Sequence, residues 1–118
     1  MAANAQPTRT LNLSTEKTST ESIVRCTGQV VMETAAQLRE TARKLISESK
    51  CVVLDLNGVN YLDSSGLGMI FGLVVSAKKS GCKLRCVNLT PRVKEIFTMT
   101  RLMEALAGHE DYLGVTPD

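Results

Sequence analysis

The chain has 118 residues, of which 43% are hydrophobic and 22% charged, with a net charge of +2. These values fit one globular domain with a single core, and they exclude a disordered chain or a second domain of ordinary size. The basic residues are scattered, which excludes the clustered cationic footprint of a nucleic-acid binder; Lys78-Lys79, near Lys83 and Arg85, read as a solvated face.

Residues 1–9 are small and polar and are expected to form a flexible N-terminal segment. Over 10–17, Leu11 and Leu13 alternate with polar residues, as in a half-buried strand. Residues 18–22 are a polar connector. Residues 23–27 predict a second strand, ended by Gly28, and the two strands pair as a hairpin. A helix follows over 32–47, with Met32, Ala35, Leu38, Ala42, Leu45 and Ile46 on one apolar face and Arg39, Glu40, Arg43 and Lys44 elsewhere.

Residues 51–56 are mostly apolar and β-branched, which suits a central strand buried on both faces. Residues 57–60 predict a turn around Gly58, and Tyr61 and Leu62 then lead into Asp63-Ser64-Ser65-Gly66-Leu67-Gly68. From about 65 to 79 a second helix is expected, with Leu67, Ile70, Leu73 or Val74, and Ala77 inward. Lys78 and Lys79 complement its dipole and Gly81 terminates it. Residues 82–89 form a further strand, with Leu84, Cys86 and Asn88 on one face. Thr90 caps a third helix and Pro91 takes its first position. Val93, Ile96 and Phe97 start its buried stripe; Leu102, Met103 and Leu106 continue it after a break near Thr100. The order β-β-α-β-α-β-α, with two right-handed crossovers, implies a single-domain α/β fold: a mixed sheet with an N-terminal hairpin, parallel β-α-β units and helices packed against it.

The longest apolar run, 66–77, is shorter than the roughly 20 residues a membrane span needs. No apolar signal core opens the chain, so a cytoplasmic location with reduced cysteines is expected. Cys82 and Cys86 on one strand face would lie roughly 13 Å apart, too far for a disulfide. Neither a C-x-x-C pair nor a Cys/His cluster is present, and His109 stands alone, so no metal or cofactor is expected. Nothing in the sequence sets an oligomeric state.

The segment 63–68 joins the end of the central strand to the start of a helix. Asp63 or Ser64 can cap that helix, and its free N–H groups favour a negative group. In one reading this is a capped helix whose Gly66, Gly68 and Gly72 permit close packing on the sheet. A nucleotide loop fits poorly, because G-x-G-x-x-x-G is one residue too long and no P-loop lysine follows. A serine nucleophile fits poorly too, because the stretch is not G-x-S-x-G and the only candidate base is the distant His109. A regulatory serine fits well. A phosphate of about −1.5 to −2 charge at a helix start leaves the fold intact but evicts a partner that must desolvate it.

The run Val52-Val53-Leu54-Asp55-Leu56 through Asp63-Ser64-Ser65-Gly66-Leu67-Gly68 resembles the signature of STAS domains, and most nearly that of bacterial anti-sigma factor antagonists. Gly28 before the first helix, the strand 83–88, Pro91-Arg92-Val93 and Ile96-Phe97 fall where that family places them. The resemblance covers 10–107 and leaves 108–118 as a C-terminal tail. It implies a protein-binding regulator of sigma-factor-dependent transcription and not an enzyme. Ser65 is then the phosphorylation site, with Ser64 the second choice, and Asp63, Ser64, Ser65, Gly66, Leu67, Gly68 and Met69 form the partner-binding segment. The implied partners are an anti-sigma factor serine kinase, which brings its own ATP and magnesium, and a PP2C-type phosphatase that restores binding. No nucleic acid or membrane is implied. Val31 stands where the family often has an acidic residue, in a loop expected near the partner, and Arg101 where a glycine is common. The alternative is a STAS subunit of a larger assembly, such as a stress-sensing complex or a lipid-transport system, in which Ser65 is a cap or interface residue.

Overall fold

The computed structural model describes residues 10–99. The elements run β1 (Leu11–Lys17), β2 (Ser22–Val30), α1 (Met32–Glu48), β3 (Cys51–Leu62), α2 (Ser64–Ser80), β4 (Lys83–Val87) and α3 (Pro91–Met99). They build a four-stranded sheet in the order β1-β2-β3-β4. β1 and β2 pair antiparallel, whereas β2–β3 and β3–β4 are parallel, as the crossovers require.

One core holds the fold. Val24 and Cys26 of β2, Leu54 and Leu56 of β3, and Leu84 and Cys86 of β4 face Leu38 and Ala42 of α1 and Ile70 and Ala77 of α2. Val93 and Phe97 of α3 join the same core. Thr90 fastens α3 to the sheet: its hydroxyl donates to the Val59 carbonyl at 2.9 Å and accepts from the Val93 N–H at 3.3 Å. The other face of the sheet is more open than a doubly buried strand would make it. Val53 is buried there, but Asp55 and Arg85 are partly exposed and Arg25 is exposed. Arg25 lies 3.8 Å from Asp55, and Arg85 3.1 Å from Glu21.

The turn expected at 57–60 is strand. Two register shifts against β2 insert an extra β3 residue each, one between Asp55 and Gly58 and one between Val59 and Tyr61. Each bulge flips the inside–outside parity. The buried series is therefore Leu54, Leu56, then Val59, then Leu62, which no strict alternation predicts. Gly28 likewise does not end β2. It has φ +124°, and an added Cβ would lie 2.2 Å from the Thr10 carbonyl oxygen. Glycine lets β2 pass that carbonyl and run on to Val30, with the Gln29 N–H donating to the same oxygen at 3.0 Å. β4 is shorter than expected because Asn88 turns to φ +57°. Its side-chain amide donates to Asp55 at 3.2 Å.

Met32 was expected inside with the rest of its stripe, yet it is 71% exposed. It is the first residue of α1, where the helix has only just left the sheet. Leu102, Met103, Leu106 and His109 lie outside the described residues.

Candidate functional site

Val30 and Leu62 are register partners at the ends of β2 and β3, so α1 and α2 begin side by side. Asp63 follows Leu62 and is the N-cap of α2, its side chain accepting from the Gly66 N–H at 3.0 Å. Its other carboxylate oxygen accepts from the Met32 N–H, also at 3.0 Å. One carboxylate therefore closes two helix N-termini, each of which presents positive dipole charge to it. α1 needs this help, because its own N-cap residue is Val31, which has no side-chain acceptor. Val31 is not on the surface: its side chain is buried, and Met32 is the residue offered to solvent there.

The glycines of the motif divide by role. Gly66 is buried against β2, and a Cβ on it would meet the Val30 carbonyl oxygen at 2.2 Å. Its missing side chain is what lets α2 start this close to the sheet. Gly68 and Gly72 are exposed, with nothing within 4 Å of an added Cβ, so they do not pack on the sheet. Ser64 is exposed, Ser65 and Leu67 are partly so, and Met69 is buried. Neither serine hydroxyl has a hydrogen-bond partner among the described residues. The two serines point about 100° apart around the helix. Ser65 faces a groove between α1 and α2, whereas Ser64 does not.

That groove has a volume of about 550 Å³. Ser65, Gly68, Gly72 and Ser76 of α2 form one side, and Arg39 and Arg43 of α1 line the other. A second hollow of about 250 Å³, lined by Arg43, Ser76 and Lys79 among others, continues it along the helices. No Asp or Glu lines either hollow. The sequence reading missed this groove. Its only local traces are the Arg39/Arg43 pair on α1 and the four-residue spacing of Gly68, Gly72 and Ser76 on α2.

The four cysteines are free thiols. Burial pushes the Cys86 thiol up to about 12. Burial, with Cys86 and Asp55 nearby, does the same to Cys26. Thiols held this neutral are poor nucleophiles at neutral pH. Among the described residues, no group of three His, Cys, Asp or Glu is placed to hold a metal ion, and no helix is long and apolar enough to cross a membrane. The chemistry the site offers is that of an accessible hydroxyl on the first turn of a firmly capped helix, at the edge of a cationic groove.

Comparison with known proteins agrees with this architecture. The chain is 28% identical over 96 residues to an anti-sigma-B factor antagonist of Bacillus subtilis (strain 168), covering 81% of this chain and 88% of that one. An anti-sigma factor antagonist from Mycobacterium paratuberculosis superposes with a TM-score of 0.77 at 19% identity, covering 97% of this chain and 92% of the other. The Bacillus cell fate determinant SpoIIAA in its phosphorylated form superposes with a TM-score of 0.66 at 15% identity, covering 91% and 93%. At such identities the structural matches establish the fold alone. The STAS domain model matches residues 12–111, and the chain belongs to the STAS domain family.

Proposed function

We propose that this protein is an anti-sigma factor antagonist, which binds an anti-sigma factor serine kinase and is released from it when Ser65 is phosphorylated. The observation that carries this reading is the state of the Ser65 hydroxyl: partly exposed, without a hydrogen-bond partner among the described residues, and on the first turn of α2. The name of the Bacillus subtilis relative and the phosphorylated SpoIIAA neighbour support it. Within the segment 63–69, Asp63 and Gly66 hold the helix start in place. Ser64, Ser65, Leu67 and Gly68 offer the contact surface, and Met69 supports them from within.

The switch follows from electrostatics. A phosphoserine brings a charge of about −1.5 to −2 and three acceptor oxygens. At the N-terminal turn of a helix that charge meets positive dipole ends, so the fold tolerates it. A partner seated over Ser65 would have to desolvate the dianion, which costs about 2–5 kcal/mol at an interface, or tens- to thousands-fold in affinity. ATP and magnesium belong to the kinase, and a PP2C-type phosphatase resets the antagonist.

The test pairs binding with phosphosite mapping. Ser65→Ala is expected to bind the organism's own anti-sigma factor whether or not ATP is present. Ser65→Asp is expected to bind at least tenfold more weakly, and both variants should melt within a few degrees of wild type. After incubation with kinase and ATP, mass spectrometry should find one phosphate, on Ser65. Wild-type affinity in Ser65→Asp, or a phosphate located elsewhere, would reject the switch. Ser65 would then be the interface residue of a STAS subunit in a larger assembly.

A further inference from the structure

We propose that the groove between α1 and α2 seats an acidic amphipathic helix of the partner protein, with its carboxylates over Arg39, Arg43 and Lys79. This rests on the antagonist reading above and adds the chemistry of what docks.

The charge pattern is the first support. Several cations elsewhere are paired: Lys17 with Glu48, Arg25 with Glu16, Arg85 with Glu21, and Arg92 with Glu95. Lys44, Lys50 and Lys94 have no ion pair among the described residues either, but they lie on separate parts of the surface and share no hollow with one another. Arg39, Arg43 and Lys79 have no acidic partner among the described residues, although all three border one continuous groove. Three cations around an apolar floor, with no carboxylate in the lining, complement an occupant that is anionic on one face and apolar on the other. The floor is Ala35, Met69 and Leu73, all buried.

Shape is the second support. Gly68, Gly72 and Ser76 recur every four residues, so one wall stays low for more than two turns. An added Cβ at either glycine meets nothing within 4 Å, so this space is open and is not taken up by α1. From Ser65 to Ser76 the groove runs about 17 Å, the length of roughly three helical turns. Both walls are helices whose backbone groups are already paired internally, so an added β-strand would find no ladder to join. A helix needs none. A flat bilayer fits poorly as well, because the apolar floor is recessed between the two walls.

Placement links the groove to the switch. Arg39 stands at the middle of α1, and Arg43 and Lys79 lie toward the C-terminal ends of the two helices, whereas Ser65 and Met32 stand at the N-terminal end. The occupant's apolar turn therefore lies beside Ser65. Phosphorylation puts a dianion under that turn and repels the carboxylates further along.

The experiment measures binding of the full chain to the organism's anti-sigma factor by titration calorimetry at two salt concentrations. The variants are Arg39→Glu/Arg43→Glu, which reverses the charge, and Gly72→Leu, which fills the groove. Gly72→Leu should fold at least as well as wild type, because glycine is a poor residue in an exposed helix interior. Each variant is expected to lose at least tenfold in affinity, and salt should weaken wild type more than the charge-reversed form. Hydrogen exchange on the complex should protect an acidic helical stretch of the anti-sigma factor. If Ser65→Asp weakens binding while both groove variants bind within twofold of wild type, the groove assignment falls and the switch stands. If wild type does not bind the anti-sigma factor, both fall. Sedimentation of wild type with phosphatidylglycerol vesicles, abolished by Arg39→Glu/Arg43→Glu, would identify the occupant as a membrane and overturn the proposal.

Discussion

α1 and α2 have the same length, 17 residues, start at neighbouring strand ends and lie side by side, yet they are built to different rules. α1 is an ordinary surface helix: apolar toward the sheet, with Glu33, Glu40 and Lys44 exposed. α2 is apolar nearly all round. Its buried side carries Ile70, Leu73 and Ala77, and its outer side shows Phe71 and Val75, which are 38% and 50% exposed, together with two open glycines. α2 is also the better fastened of the two. Asp63 caps its start, and Gly81, in the left-handed conformation, closes its end by donating to the Ala77 and Lys78 carbonyls. α1 borrows its N-terminal cap from Asp63. A helix that is fixed at both ends yet leaves apolar surface and glycines outward suits contact with another molecule.

The sharpest way to break this contrast is at Gly66. A Cβ there would press on the Val30 carbonyl at 2.2 Å, and a backbone atom cannot swing aside as a side chain can. Gly66→Ala must push the start of α2 off β2 and strain the Asp63–Met32 bond with it. A loss of about 3 kcal/mol is expected, the upper range for overpacking. Urea denaturation measures it. A midpoint equal to wild type would mean that α2 is not anchored through this contact.

Asp63 comes next. Asp63→Ala removes both caps, and at about 0.5–2 kcal/mol each the expected loss is about 2 kcal/mol. Asp63→Asn separates the two bonds. Asparagine is as good an N-cap as aspartate, but it has one acceptor oxygen where the structure uses two. About half of the loss should be recovered, and the amide proton of either Met32 or Gly66 should exchange faster. Full recovery by asparagine would show that α1 does not depend on the cap it borrows.

Much of this was legible in the sequence, and the exceptions share a cause. The order of elements along the chain, the three helices, the Thr90 cap and the Gly81 terminus are set by local patterns, so periodicity and capping residues reveal them. The bulges in β3 are not local. They exist relative to β2, and Asn57-Gly58 reads as a turn unless that neighbour is known. Gly28 misleads in the same way, because the carbonyl it must pass belongs to Thr10. At the site, the motif 63–68 announces a capped helix start. That the same carboxylate serves a helix starting 31 residues earlier leaves no mark in the sequence. The groove is less legible still, since a cation without a partner is a property of the folded surface.

The smallest effect tests the contrast most directly. Gly68 and Gly72 are exposed in the interior of α2, where glycine costs up to about 1 kcal/mol relative to alanine and no close contact needs its small size. Gly68→Ala and Gly72→Ala should therefore each raise stability by about 0.5–1 kcal/mol, and each should move the thermal midpoint upward by a few degrees. A wild-type sequence that forgoes this gain at two successive turns holds the surface low for something other than its own fold, as expected where stability is traded for contact with a partner. Loss of stability in either variant would show that these glycines serve packing after all, and the outer face of α2 would become as ordinary as that of α1.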